Sequence, residues 1–196
     1  MKKGWTTTKL IAAGSVGVAM LIFSLAGGVL NSVTGITGVG GLINVFVQGG
    51  LTAFVILTVK KFGSASIAWL VFSFIAITLP IMGPPGFFLK IFNGILIGIC
   101  SDITYLFLSG RREKVIGIVV GGVSMATANV PLLIALSLLG INWLAIAEGL
   151  SEILVTFPGF LLLFFLSFLI GMMAGYLGWL AYDKLKNTAI IKRIQQ

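Results

Sequence analysis

Residues 153–182 read ILVTFPGFLLLFFLSFLIGMMAGYLGWLAY, a run of 30 positions without a charged side chain. A helix needs about 20 consecutive apolar residues to cross the hydrocarbon core of a bilayer. This run is longer than that, and charge returns directly after it at Asp183, Lys184 and Lys186. We therefore predict a transmembrane helix here.

Five further apolar runs precede this one. They cover residues of about 9–30, 42–59, 64–79, 87–108 and 115–139. The segment Met82-Gly83-Pro84-Pro85-Gly86 separates the third run from the fourth, because proline cannot continue a helix. The first run has a basic front like a signal peptide, but its length favours a retained helix.

The composition agrees with these runs. The chain is 58% hydrophobic and 9% charged, with a mean hydropathy of +1.15, whereas soluble domains carry about 25% charged residues. The predicted fold class is an all-α integral membrane protein, a single domain over residues 1–196 with about six transmembrane helices. No length remains for a separate soluble domain.

The basic residues predict which side of the membrane each connection occupies. They lie before the first run, after the second, fourth and sixth runs, and in the C-terminal tail, and Lys90 alone among the 13 Lys and Arg departs from this pattern. Because lysine and arginine collect on the cytoplasmic side, both termini are predicted to be cytoplasmic. The net charge of +8 is explained by this topology, so no nucleic-acid partner is expected.

Residue types exclude most catalytic chemistry. Histidine is absent, cysteine occurs once and only five acidic residues are present. Histidine-based zinc sites and Ser-His triads are thereby excluded. We predict a protein that is not an enzyme and that has no metal site and no cofactor.

Two charged residues lie within or beside the fourth run. Asp102 is costly at membrane depth unless it faces a partner, a polar cavity or the interface, so it is either a functional intramembrane group or a group that reaches cytoplasmic water. Lys90, on the outer side, either anchors its helix at the headgroups or holds a ligand.

The outer side of the predicted bundle carries two further acids. Glu148 and Glu152 are four residues apart and share a face if this segment is helical. They either attract a cationic, thiamine-like ligand or only keep an amphipathic outer segment at the surface.

Four amide side chains complete the candidate substrate-binding set. Asn44 and Gln48 are one helical turn apart in the second run, Asn93 lies in the fourth and Asn129 in the fifth. Amides are expensive against lipid, so each is predicted to face inward. They either bind substrate or bond neighbouring helices.

Small residues spaced by four allow helices to approach closely. Such pairs are Ala13 with Gly17, Ser15 with Ala19, Gly117 with Gly121, Gly171 with Gly175, and Ala174 with Gly178.

The first of these stripes, in the segment KLIAAGSVGVA at residues 9–19, carries a resemblance together with the Gly83-Pro84-Pro85-Gly86 turn and the run through Gly94, Gly98 and Asp102. In these features and in its predicted architecture, the chain resembles the substrate-binding S components of energy-coupling factor transporters, nearest to the thiamine and hydroxymethylpyrimidine type. The family docks through an Ala-x-x-x-Ala-like surface on its first helix, and no strict copy of that motif occurs here. The corresponding positions are Ala13 and Gly17, or Ser15 and Ala19.

The resemblance implies a multi-pass protein of a prokaryotic cell membrane. Its partners would be a transmembrane T component, two ATPase subunits and a vitamin-like ligand captured from outside, with reorientation of the bundle in the lipid bilayer. The alternative is an oligomeric secondary transporter or channel for a small solute, in which Asp102 would be the coupling group.

Overall fold

The computed structural model describes residues 4–34, 39–79, 86, 88–130 and 157–196. These residues form helices joined by turns, and no strand occurs among them. The helices are α1 (Thr7–Thr34), α2 (Val39–Val59), α3 (Ser64–Ala76), α4 (Leu89–Phe107), α5 (Glu113–Thr127), α6 (Phe157–Leu185) and α7 (Ala189–Gln195).

Three helices are long and apolar enough to cross a membrane. They contain the segments Thr7–Gly27, Leu89–Phe107 and Leu161–Leu185. By length and composition these helices indicate a membrane protein. α3, with 13 residues, is about 20 Å long, which is less than the roughly 30 Å of the hydrocarbon core.

The predicted runs agree with the helices at most of their described ends. The first two runs leave residues 31–41 between them as a predicted connection, but α1 continues to Thr34 and α2 begins at Val39. Two other predicted connections, residues 80–86 in large part and residues 140–151 entirely, lie outside the described residues, as do the predicted end of the fifth run and the predicted start of the sixth.

α6 packs against α5 and α2 through glycines, as the spacing-four pairs predicted. A Cβ on Gly121 would lie 2.6 Å from the Cα of Gly175, and a Cβ on Gly175 would meet the carbonyl oxygen of Gly117. On the α2 side, a Cβ on Gly50 would lie 3.1 Å from the carbonyl oxygen of Ala174. Within lipid there is no hydrophobic effect to hold helices together. Because these backbones approach within contact distance, dispersion attraction between them stabilises the packing instead.

The core contains buried residues from all seven helices. Its largest fully buried side chains include Trp69, Phe72, Met20 and Ile56. The rings of Trp69 and Phe72 pack edge to face, with centroids 5.3 Å apart. Trp69 is therefore part of the core.

One end of the bundle carries the basic connections, and we call it the basic end. The Lys60 ammonium pairs with Glu113 at 2.5 Å, and the Tyr182 hydroxyl donates to the same carboxylate oxygen at 3.1 Å. Burial lowers the pKa of Lys60, but its hydrogen bonds to Glu113 and Tyr182 outweigh burial and hold that pKa above its ordinary value. These contacts tie α2, α5 and α6 together.

The C-terminal helix α7 was not predicted. Thr188 caps it by accepting from the backbone N–H of Ile191, and Ile191 and Ile194 are buried. Gln195 donates from Nε2 to the Leu57 carbonyl at 3.4 Å and to the Tyr182 hydroxyl at 3.3 Å. The end of the described chain therefore lies at the basic end, beside the start of α1 and the end of α2.

Candidate functional site

The two charged residues of α4 lie on the side of this helix that packs against α3. Lys90, Gly94, Gly98 and Asp102 follow one another at spacing four, which places them along one side of a helix. A Cβ on Gly98 would lie 2.5 Å from the Cα of Ser66, and a Cβ on Gly94 would collide with the hydroxyl of Ser73. The two glycines therefore let α4 lie directly against α3.

Asp102 caps the N-terminus of α3 from the neighbouring helix. It is 0% exposed. Its carboxylate accepts from the backbone N–H of Ala65 at 3.1 Å, from the backbone N–H of Ser66 at 2.9 Å and from the hydroxyl of Ser66 at 2.6 Å. The first N–H groups of a helix have no partner within it, and the helix dipole favours an anion there. Of the two alternatives for Asp102, contact with cytoplasmic water disagrees with this burial.

Lys90 caps the other end of α3, the C-terminus. Its side chain is 3% exposed, and its ammonium donates to the carbonyl of Ala76 at 3.0 Å and to that of Leu79 at 2.7 Å. Of the two alternatives for Lys90, the headgroup anchor disagrees with this burial, because the side chain turns inward. An ammonium has three N–H donors, and the described residues supply acceptors for two of them.

The distance between the two caps matches the length of α3. Asp102 lies 12 positions after Lys90, which is about 18 Å along α4, and α3 is about 20 Å long by the same measure. An anion at the positive end and a cation at the negative end both stabilise a helix. We call Lys90, Gly94, Gly98 and Asp102 the α3 clamp.

Gln48 is used in helix-to-helix bonding. Its Nε2 donates to the hydroxyl of Ser24 on α1 at 2.9 Å. One turn later, Trp69 Nε1 on α3 donates to the hydroxyl of Thr52 at 3.0 Å, and that hydroxyl donates to the carbonyl of Gln48 at 2.7 Å. Of the two alternatives for Gln48, its amide nitrogen therefore takes the bonding of neighbouring helices.

Asn44 and Asn93 differ from Gln48, because each has a buried Oδ1 with no hydrogen-bond partner among the described residues. Asn93 is 7% exposed. A buried acceptor without a partner costs about 1–3 kcal/mol, so two such atoms in the first two turns of α2 and α4 require an explanation.

The remaining candidates are less informative. Asn129 donates from Nδ2 to carbonyls of its own helix, at 3.3 Å to Met125 and 3.5 Å to Ala126. Glu148 and Glu152 lie outside the described residues. Sequence reasoning missed Ser24, for which the only signal was a polar residue within an apolar run.

The two candidate docking pairs on α1 face different directions. Ala13 is 0% exposed, and a Cβ on Gly17 would overlap the carbonyl oxygen of Ala68 and lie 3.0 Å from the Cβ of Val71, both on α3. This pair is therefore used inside the bundle and is not available to a partner. Ser15 is exposed and Ala19 is half-buried.

When the chain was compared with protein-family models, with curated proteins and with solved structures, none of them matched. The function must therefore be inferred from the residues themselves.

Proposed function

We propose that the chain is the substrate-binding membrane subunit of an ATP-driven uptake system of the energy-coupling factor type. In this proposal, about six helices span a prokaryotic cell membrane with both termini in the cytoplasm. The subunit captures a vitamin or vitamin precursor from outside and reorients with a transmembrane T component and two ATPases.

The observation that carries the proposal is the pair of unpartnered amide oxygens on Asn44 and Asn93. α2 and α4 run in the same direction, because the start of α3, which follows α2, is bound by Asp102 near the end of α4. Both asparagines therefore lie at the end of the bundle opposite the basic end. If basic residues are cytoplasmic, that end faces outward.

The chemistry of these atoms constrains the ligand. An amide oxygen only accepts hydrogen bonds, so its missing partner is an N–H or O–H donor. Lys90 is largely committed to α3. We therefore expect a ligand that presents amino or hydroxyl groups, and a heterocyclic vitamin precursor has them.

The resemblance to S components requires a partner surface. On α1 we assign it to the side that carries Ser15, because Ala13 and Gly17 are already packed against α3. Ser15 is exposed, and small residues permit the close helix approach that docking within a membrane needs.

The alternative of an ion-coupled secondary transporter or channel has less support. It requires Asp102 to exchange a proton or an ion during transport. Three hydrogen bonds from α3 hold that carboxylate, so each cycle would have to uncap a buried helix end.

Ligand capture tests the proposal. The protein is purified from cells grown in rich medium, and native mass spectrometry measures the small molecule that remains bound. Asn93→Leu and Asn44→Leu are expected to lower the bound fraction at least tenfold, since each removes a hydrogen bond and the shape around it. Asn129→Leu, whose amide already bonds to its own helix, is the control.

Stability separates loss of binding from misfolding. Removing an unpartnered buried acceptor should leave the free energy of unfolding of the ligand-free protein unchanged or higher. A protein without any retained ligand, or equal loss in the Asn129 control, would contradict the proposal. Uptake that continues when the ATPases carry inactivated nucleotide sites would favour the secondary transporter.

A further inference from the structure

A groove of about 690 Å³ opens at the basic end between α1, α2, α7 and the end of α6. Its walls are mostly apolar and include Ile11, Val16, Phe54 and Ile191. We call it the α1–α7 groove. Its volume is within the range of about 300–1,000 Å³ that is typical of sites for small molecules.

One polar atom in this groove has no partner. Thr58 lines the groove, is 3% exposed, and its hydroxyl has no hydrogen bond within the described part of the chain. Thr52, Thr104 and Thr127 each donate to the carbonyl four residues earlier, all at 2.7 Å. Thr58 does not donate to its own helix in this usual way, so its buried hydroxyl still lacks an acceptor.

The rim of the groove is positively charged. Arg193 is part of its lining, and the described lining contains no acidic residue. The two described acids nearest this end, Glu113 and Asp183, are each paired with a lysine. An occupant that places an anion beside Arg193 therefore meets attraction without competition from a carboxylate in the groove.

The three kinds of group lie next to one another in the groove. Thr58 is one position from the last residue of α2, and Phe54 lies about one turn before it on the same helix. Arg193 lies on α7 two positions before Gln195, which donates to the carbonyl of Leu57, the residue before Thr58. The groove thus presents apolar walls, a hydroxyl donor and a guanidinium together, and a glycerophospholipid has acyl chains, ester carbonyls and a phosphate to meet them.

We propose that the α1–α7 groove binds one anionic glycerophospholipid of the leaflet that borders the basic end. An acyl chain lies along Val16 and Phe54, an ester carbonyl accepts from the Thr58 hydroxyl, and the phosphate pairs with Arg193. A transmembrane segment of another protein would fit the apolar walls, but its backbone carbonyls are already bonded internally, so it would leave the Thr58 hydroxyl without an acceptor. Ser15, on the α1 side assigned above to a T component, also lines the groove, so this inference places the lipid there when the T component is not docked. The site is separate from the proposed ligand at the opposite end.

Native mass spectrometry of the full-length protein tests this site. The protein is delipidated in detergent and titrated with phosphatidylglycerol or with phosphatidylcholine of the same acyl chains. One phosphatidylglycerol is expected to bind, at least fivefold more tightly than phosphatidylcholine. Arg193→Gln should weaken its binding about fivefold, and Thr58→Val, which keeps the side-chain shape, should weaken it by a similar factor.

Matched variants distinguish a built site from general attraction to charge. Lys192→Gln removes the same charge from the adjacent exposed position of α7, which does not line the groove, and is expected to change binding less than twofold. Thr78→Val serves the same purpose for the hydroxyl, because Thr78 donates to its own backbone turn at Ile75.

Three results would overturn the inference. Equal weakening by Arg193→Gln and Lys192→Gln would mean that the lipid follows only the net charge of the basic end. Equal affinity for both lipids, or binding unchanged by both Thr58→Val and Arg193→Gln, would mean that the groove is occupied by something other than an anionic phospholipid.

Discussion

Replacing Asp102 with asparagine tests the α3 clamp while changing the side-chain shape least. The carboxylate accepts three hydrogen bonds from α3 with two oxygens. Asparagine has one acceptor oxygen, so in its best orientation it keeps the bonds to Ser66 and turns an N–H₂ group toward the N–H of Ala65. That backbone donor is then buried without a partner.

The expected cost follows from these contacts. A stranded buried donor costs about 1–3 kcal/mol, and loss of an anion at a helix N-terminus adds about 0.3–1 kcal/mol. Relief from burying a charge acts in the opposite direction and reduces this sum, because the three donors offset the burial of the carboxylate only in part. We expect Asp102→Asn to lower the free energy of unfolding by about 2–3 kcal/mol.

The assay is unfolding of the purified protein in mixed detergent micelles, followed by circular dichroism. Asp183→Asn is the matched control, because its partner Lys186 is exposed and such pairs contribute less than about 1 kcal/mol. A change of less than about 0.5 kcal/mol for Asp102→Asn would refute the clamp. If transport were lost in a variant of unchanged stability, Asp102 would instead have a direct role in coupling.

Three further predictions follow from the packing and from the basic end. Lys90→Met should lower the free energy of unfolding by about 2 kcal/mol in the same assay, because two buried carbonyls lose their donor. Gly121→Ala should cost at least about 2 kcal/mol, since its Cβ overlaps the backbone of α6, whereas Gly4→Ala, with open space around it, should change nothing measurable. Because the pKa of Lys60 is raised in the folded protein, its stabilising effect is present below the unfolded pKa of about 10.4 and is lost as the pH rises further. The free energy of unfolding of the wild-type protein should therefore fall above that pH by less than about 1 kcal/mol after solvent screening, and in Lys60→Gln this fall should be absent. The same alkaline fall in both proteins would contradict a stabilising role for the Lys60 ion pair.

The helices could be predicted because membrane insertion depends on local composition. A bilayer excludes charge and demands internally bonded backbone, so long uncharged runs and the proline-rich turn indicate helices and breaks without knowledge of packing. α7 was missed because it is short. Its signals, a capping threonine and two buried isoleucines, acquire meaning only when α1 and α2 provide a surface for them.

The candidate site was predicted less well, because the function of a polar side chain depends on what it meets. Sequence alone identified the inward asparagines and the two charged residues of α4 as unusual. It did not reveal that Lys90 and Asp102 bind the two ends of α3, since this requires knowledge that α3 and α4 are adjacent and antiparallel and that α3 is as long as the distance between Lys90 and Asp102.

What the sequence by itself determined is the class of protein, the approximate helices and the small-residue faces, all of which depend on residues near one another along the chain. Only the tertiary structure decided which buried polar groups have a hydrogen-bond partner and which do not. Lys90, Asp102 and Gln48 have partners on or beside other helices, while Asn44, Asn93 and Thr58 retain buried oxygens that have none among the described residues. The physical reason is that a hydrogen bond is satisfied by distance and direction in space, and spacing along one helix does not specify the residue that a neighbouring helix presents.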